Sequence, residues 1–550
     1  MIKIKGNFFE KKEYKTLHYL IAMLEAYGVK YVVASPGMQN AKFNSIVQEK
    51  SEFNCISIVD ERSAAYVATG ISFETQEPVV ITCTGATASR NYLSALTEAY
   101  YRKIPIIAVT FYRYTSNEFN MSPQFVDRSV IQNDVKYISV TLPNINNNDD
   151  KRKALVYLNA ALTAAVYKKV PVHIDCPASY DFELDLSLPD DIWKNEYVFD
   201  DLEKLKENLV DKNFAVFIGS HHKFSEQEEQ ALSDFAISWG IPVFCDHTSG
   251  YNGENKVLTA QAAKLIDLKQ MPELIIDIGD LTGEYSSSAL FKKAKIWRVT
   301  PDGDFKSRFS FRIEKTIVTP EEKLFRTLIN KNNTKVDYFL DVKKQIDKII
   351  IPELPLSCGL VCQKMAEYMP KKSSLHLAIL NCLRNMNFFE LSSQTTVNSN
   401  VGGFGIDGPL STLLGQALVS PKEKVFGIVG DLAFFYDMNA LGYRNIPNNL
   451  RILLINNNKG EEFIINPTIE KPLGEKTNEL IAAAGHNKNG AKAWVESCGF
   501  HYMFAKDKKS FLNQVQDFCN YNYAKPVVFE VFTTDEDEKF GLNIIQSFNK

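Results

Sequence analysis

Short apolar runs alternate with amphipathic stretches along most of the chain, and each apolar run ends in a turn of small or polar residues. In the first third, Leu17–Tyr27 carries helical periodicity and Tyr31–Ala34 reads as a short strand that ends at Ser35-Pro36-Gly37. A second strand, Cys55–Val59, delivers Asp60-Glu61 to a helix over Arg62–Phe73. Pro78–Thr82, a helix over Asn91–Tyr100 and a strand over Ile104–Val109 continue the series, and Val170–Pro177 closes it. Strand and helix in strict alternation predict parallel sheets covered by helices. The pattern restarts after acidic, irregular sequence from Ser179 to Asp201, which reads as a linker, with apolar runs at Asn213–Gly219, Ile241–Phe244 and Glu273–Gly279. A polar stretch beginning at Asn330 reads as a second linker, and a third unit starts near Leu356. The expected fold is α/β with three domains, over residues 1–180, 195–330 and 355–550, each a parallel sheet flanked by helices.

The third unit holds the most informative stretch. An apolar run, Lys424–Val429, ends in Gly430-Asp431; a helix is expected over Asp437–Arg444; a second run, Arg451–Ile455, ends in three asparagines. Strand, crossover and parallel strand bring both loop ends to the carboxyl edge of one sheet, where such sheets bind ligands. Asp431 then offers a carboxylate oxygen, and Asn457 or Asn458 an amide oxygen, to one hard cation. Mg²⁺ is commonly held by a few protein oxygens together with phosphates.

Composition narrows the class. A chain of 550 residues suggests about three domains. With 62 basic and 66 acidic residues the net charge is −4, so no polycationic surface points to nucleic acid. The charged opening MIKIKGNFFEKKEYK lacks an apolar core, and no apolar run approaches the ~20 residues of a membrane span, so a cytoplasmic protein is expected. Nine cysteines without a CxxC pair read as small buried hydrophobes rather than a zinc site. His221-His222, without an acidic neighbour in sequence, reads as a solvated turn.

Three separated motifs converge. GDL…NNNKG at Gly430–Gly460, Glu61 in VDERSAAYVATG, and Gly402-Gly403-Phe404-Gly405-Ile406-Asp407-Gly408 together resemble the thiamine diphosphate (ThDP) enzymes of the 2-oxo-acid decarboxylase and acetohydroxyacid synthase family. Ser35-Pro36-Gly37, Ser399–Gly408 and Gly430–Leu441 are similar to its menaquinone-pathway synthases, which add a succinyl unit from 2-oxoglutarate to isochorismate. The resemblance spans nearly the whole chain, with pyrimidine-binding, central and diphosphate-binding domains in that order.

It implies ThDP and Mg²⁺ as cofactors, with Glu61 hydrogen-bonded to the pyrimidine as the catalytic carboxylate. A glutamate of raised pKa would suit that role. It further implies Ile406 as the apolar wedge beneath the cofactor, the Phe404 carbonyl as acceptor for the pyrimidine amino group, and Gly430, Asp431, Leu432, Ala433 and Asn457 around the diphosphate. Asp431, Asn457 and the Lys459 carbonyl would hold the metal. Gln39, Arg113, Gln124 and Glu462 fall at substrate-site positions. Three arginines that serve substrate carboxylates in the menaquinone-pathway enzymes are Gln39, Val401 and Met386 here. Loss of those fork donors points to a donor without a distal carboxylate, such as pyruvate, used by a carboligase acting on an unknown acceptor. A simple 2-oxo-acid decarboxylase and an inactive regulatory paralogue are the alternatives. A homodimer or homotetramer with sites at the subunit interface is implied, and no segment indicates FAD.

Overall fold

A computed structural model describes residues 15–547, except 76, 113–123, 125–131, 200, 266–270, 285, 302, 304–312, 332–336, 403, 444–445, 466–470, 475–477 and 486–488. The chain divides into two compact units, Met1–Tyr197 and Val198–Lys550.

In the first unit, strands β1 (Tyr31–Ala34), β2 (Asn54–Ser57), β3 (Val79–Thr84), β4 (Ile106–Tyr112), β5 (Ile138–Thr141) and β6 (Val172–Pro177) form one sheet in the order β2-β1-β3-β4-β6-β5. Its pairings are all parallel. Strands β3, β4 and β6 are buried almost throughout, which is why they read as unbroken apolar runs instead of alternating ones. Helix Asn148–Lys168 covers one face, and Leu155, Leu158 and Leu162 join Leu20, Met23 and Leu24 of helix Thr16–Ala26 in its core. Asn147 caps the long helix by accepting from the backbone N–H groups of Asp149 and Asp150. The turn after β1 approaches β3 closely, since a Cβ on Gly37 would lie 2.2 Å from Thr84 Cγ2. The stretch after β6, expected to be a linker, is instead fastened to this unit. Tyr19 Oη and Lys151 Nζ both reach Asp191, and Asn159 Nδ2 donates to Trp193 O.

The second unit carries two sheets. After boundary strand β7 (Glu196–Val198) come β8 (Phe214–Ile218), β9 (Val243–Cys245), β10 (Lys256–Leu258), β11 (Leu274–Ile278), β12 (Lys295–Val299) and β13 (Ile313–Ile317). These six run in the order β10-β9-β8-β11-β12-β13, with parallel registers. Beyond β13, Val318 N–H donates to Val198 O.

The last sheet uses β14 (Ser373–Leu377), β15 (Thr395–Asn398), β16 (Lys424–Gly430), β17 (Leu450–Asn456), β18 (His501–Ala505) and β19 (Val527–Phe532), ordered β15-β14-β16-β17-β19-β18. All its pairings are parallel. This is the strand order of the first sheet repeated, and in both the direction of winding reverses between the first and third strands. That reversal opens a crevice at the carboxyl ends of β14 and β16. The segment expected as a helix over Asp437–Arg444 folds differently. The helix begins at once, over Asp431–Tyr436, and a 3₁₀ turn spans Met438–Gly442. Asp437 lies between them because its carboxylate accepts from the N–H and hydroxyl of Ser411, in the first turn of helix Pro409–Val419.

His221 also departs from expectation. Its Nε2 lies 3.1 Å from Glu321 Oε2 and its ring stacks on Phe224, so its side chain is covered rather than solvated; His222 faces Glu228 and stays exposed. All nine cysteines are free thiols, and Cys55 is the exposed one. Among the described residues, no helix is long and apolar enough to cross a membrane.

Candidate active site

At the crevice between β14 and β16 lies a cavity of about 140 Å³. Strand β14 contributes His376 and Leu377, and the following turn adds Ala378–Asn381. Strand β16 contributes Gly430, with Asp431, Leu432 and Ala433 from the helix behind it. Asn457, Lys459 and Glu461 come from the loop after β17, Glu462 from the start of helix Glu462–Ile465, and Ile406 from the glycine-rich segment. Sequence-predicted residues from two distant motifs thus share one wall.

Asp431 is 2% exposed. Its Oδ1 accepts from Leu432 N–H at 2.7 Å, while Oδ2 is buried and, among the described residues, has no hydrogen-bond partner. Burial pushes the carboxyl up to about 7, against the opposing pull of backbone N–H groups at Leu432, Asn458 and Lys459. Asn457 Nδ2 donates to Glu461 Oε2, and Asn457 Oδ1 accepts from Lys459 N–H at 3.3 Å. Glu461 is 9% exposed and its Oε1 is buried with no partner among the described residues. Its carboxyl is pushed up to about 9, first by burial and then by Glu538, Asp535 and Asp431, with Lys459 opposing. Two buried carboxylates, each with an oxygen unpartnered among the described residues, disfavour ionisation without a counter-charge of their own, since Lys459 on the same wall is already paired with Asp535. A divalent cation supplies that counter-charge, so the donor set fits Mg²⁺. Among the described residues no three His, Cys, Asp or Glu side chains cluster as a complete metal site; amide, carbonyl and phosphate oxygens would have to complete the shell. A Cβ on Gly430 would meet no atom within 4 Å, which leaves that wall open to a ligand.

The remaining predicted residues fall as follows. Ile406 is half-buried and packs against the core of the last sheet. Phe404 is half-buried with φ 52, a left-handed conformation that costs a non-glycine residue about 1–2 kcal/mol. Glu462 Oε2 accepts from Arg384 Nη1 at 2.6 Å. Lys459 Nζ binds Asp535 at 2.7 Å and Asn478 at 3.2 Å.

In the first unit, Glu61 opens helix Glu61–Thr75. Asp60 caps that helix through the N–H groups of Arg62 and Ser63, and Asn91 Nδ2 donates to Glu61 Oε2 at 3.3 Å. Gln39 is buried, and its Oε1 accepts from Gly85 N–H at 2.9 Å, joining the turns after β1 and β3. Gln124 is exposed with φ 62, and Arg113 lies outside the described residues.

Sequence reading missed Glu461, Glu538 and His376 on the cavity wall. Glu461 carried a usable signal, because it is an acid directly behind the NNNKG loop. His376 carried none; burial pushes its imidazole down to about 4, so it is neutral.

Residues 14–136 match the family model described as "Thiamine pyrophosphate enzyme, N-terminal TPP binding domain". Curated relatives named 2-succinyl-5-enolpyruvyl-6-hydroxy-3-cyclohexene-1-carboxylate synthase align over nearly the whole chain. That of Bacteroides fragilis is 30% identical, covering 94% of this chain and 96% of its own length. Those of Phocaeicola vulgatus and Flavobacterium johnsoniae are 29% and 28% identical, covering 95% and 94% of this chain and 96% and 95% of their own lengths.

Proposed function

The chain belongs to the thiamine pyrophosphate enzymes of the 2-succinyl-5-enolpyruvyl-6-hydroxy-3-cyclohexene-1-carboxylate synthase family, and on that premise we propose that it is a Mg²⁺-dependent carboligase. In this reading it decarboxylates a small 2-oxo acid of the pyruvate kind and transfers the acyl unit to an acceptor. The observation that carries the metal assignment is the buried Oδ2 of Asp431, unpartnered among the described residues, on the same cavity wall as Asn457.

When bound, ThDP supplies a nucleophilic ring carbon and an electron sink for loss of CO₂. Asp431, Asn457 and the Lys459 carbonyl would hold Mg²⁺ against the diphosphate, with Gly430, Leu432 and Ala433 lining its pocket. Ile406 would be the apolar wedge beneath the cofactor, and the Phe404 carbonyl would accept from the pyrimidine amino group. Glu61 would hold a proton at the pyrimidine ring and so set its tautomer. Residues 1–180, 195–330 and 355–550 would serve as pyrimidine-binding, central and diphosphate-binding domains. A homodimer or homotetramer would complete each site between subunits.

The donor follows from what the substrate positions carry. Val401 and Met386 are buried in the apolar core, and the Gln39 amide is engaged with Gly85. None of these side chains offers the planar, charged fork that binds a distal carboxylate. On the cavity wall, Glu462 already balances Arg384, which further disfavours a dicarboxylate. Incubating the protein with ThDP, Mg²⁺ and a panel of 2-oxo acids, with and without acceptors, tests this. CO₂ from pyruvate with a ligated product supports the proposal. Free aldehyde alone makes it a decarboxylase, and turnover confined to 2-oxoglutarate overturns the donor assignment.

A further inference from the structure

The three asparagines at the end of β17, Asn456 to Asn458, do different work. Asn457 lines the cavity, whereas Asn456 is absent from its wall and turns toward the neighbouring strand. Asn456 Nδ2 donates to Glu530 Oε1 at 2.7 Å, and Asn456 Oδ1 accepts from Asn458 N–H at 3.0 Å. Asn458 takes φ 64, and its carbonyl accepts from Gly485 N–H. Glu530, on β19, is fully buried. Besides Asn456 it accepts from Ala491 N–H on both oxygens and from Tyr502 Oη at 2.7 Å. All of these donors are neutral.

A carboxylate in the middle of a buried strand is costly without a cation beside it. A glutamine or an apolar residue would serve the sheet at lower cost. What a carboxylate adds is that it only accepts. Facing Asn456, it forces the amide NH₂ toward itself and therefore turns Oδ1 onto Asn458 N–H. That bond helps hold the left-handed backbone at Asn458, and the loop then presents Asn457, not Asn456, to the cavity.

We propose that Glu530 is a positioning residue for the cation site, acting through the side-chain orientation of Asn456. The inference rests on the assignment of Asp431 and Asn457 as metal ligands. It is tested on the full chain with Mn²⁺ as probe in the presence of ThDP, by paramagnetic resonance of the free ion. Glu530→Met removes the acceptor and should raise the Mn²⁺ dissociation constant about tenfold, as expected for one buried hydrogen bond. Glu530→Gln keeps an oxygen for Asn456 but can also turn its NH₂ toward it, so it should fall between wild type and Glu530→Met, about threefold above wild type. Tyr502→Phe deletes a bond to the other oxygen of the same carboxylate; it should lower thermal stability yet leave Mn²⁺ affinity unchanged. If Glu530→Met does not fold, Asn456→Ala carries the same expectation.

A folded Glu530→Met protein with wild-type Mn²⁺ affinity overturns the proposal. So does Tyr502→Phe weakening Mn²⁺ as much as Glu530→Met, since that would mean general loosening. If Asp431→Ala binds Mn²⁺ like wild type, the metal assignment itself is at fault and this inference falls with it.

Discussion

Glu538 offers a sharp test of the electrostatics around the cavity. It sits in the first turn of helix Asp535–Ser547, lines the cavity, and accepts from Cys358 N–H on both oxygens at 3.0 Å. Burial lifts its carboxyl from an ordinary 4.5 to about 7, with the Cys358 N–H opposing and Asp537 and Asp535 adding to the rise. Between those two values the folded protein binds a proton that the unfolded chain has released. Stability contributed by this group therefore falls as pH rises through the window, and is flat above about 7. At 1.36 kcal/mol per pH unit, the full span is on the order of 3 kcal/mol. Glu538→Gln keeps a carbonyl oxygen for Cys358 N–H and has nothing to ionise. Without cofactor it should match wild type near pH 4.5, and at pH 8 exceed it by up to about 3 kcal/mol, a melting point several degrees higher. Thermal denaturation of both proteins across this range is the assay. A variant less stable than wild type at pH 8, or an equal difference at pH 5 and pH 8, would refute the reasoning.

His247 works in the opposite sense. Burial holds its imidazole down to about 3, and Nε2 faces the Phe389 carbonyl. The unfolded chain binds the extra proton below about 6.5, so stability drops as pH falls from there toward 3; His247→Gln should flatten that acid limb in urea titrations at pH 5 and 7. Replacing Asn147 with alanine removes the side-chain acceptor at the start of helix Asn148–Lys168. It should cost about 1 kcal/mol in chemical denaturation of the first unit and leave ThDP affinity unaltered.

Sheet-forming strands were legible because strands covered on both faces are largely apolar, as in β8, whose five residues are all apolar and buried. Asp431 stood out for the complementary reason, as a charge placed where such a run stops. Lone polar residues whose partners lie far along the chain were not legible. Glu321 sits 100 residues from His221, and Glu530 sits 74 residues from Asn456. Glu530 did leave a trace, a charged residue inside the otherwise apolar run Val527–Phe532, which only makes sense once its donors are known. The helix expected over Asp437–Arg444 was misplaced because Asp437 looks like a helix start while its carboxylate caps a different helix. Helix Asn148–Lys168 went unread behind its polar first turns, Asn148 to Lys153.

The central claim is that this chain uses ThDP, Mg²⁺ and Glu61 to decarboxylate a small 2-oxo acid. Its most direct measurement is CO₂ release from pyruvate by wild type and Glu61→Gln, with ThDP binding followed in parallel by calorimetry. The account predicts that wild type releases CO₂ only with both cofactors present. The variant should bind ThDP but release CO₂ at least about a hundredfold more slowly, the scale of a lost general acid–base group. Undiminished CO₂ release by Glu61→Gln, or wild type that binds ThDP and Mg²⁺ yet decarboxylates no 2-oxo acid, would contradict it.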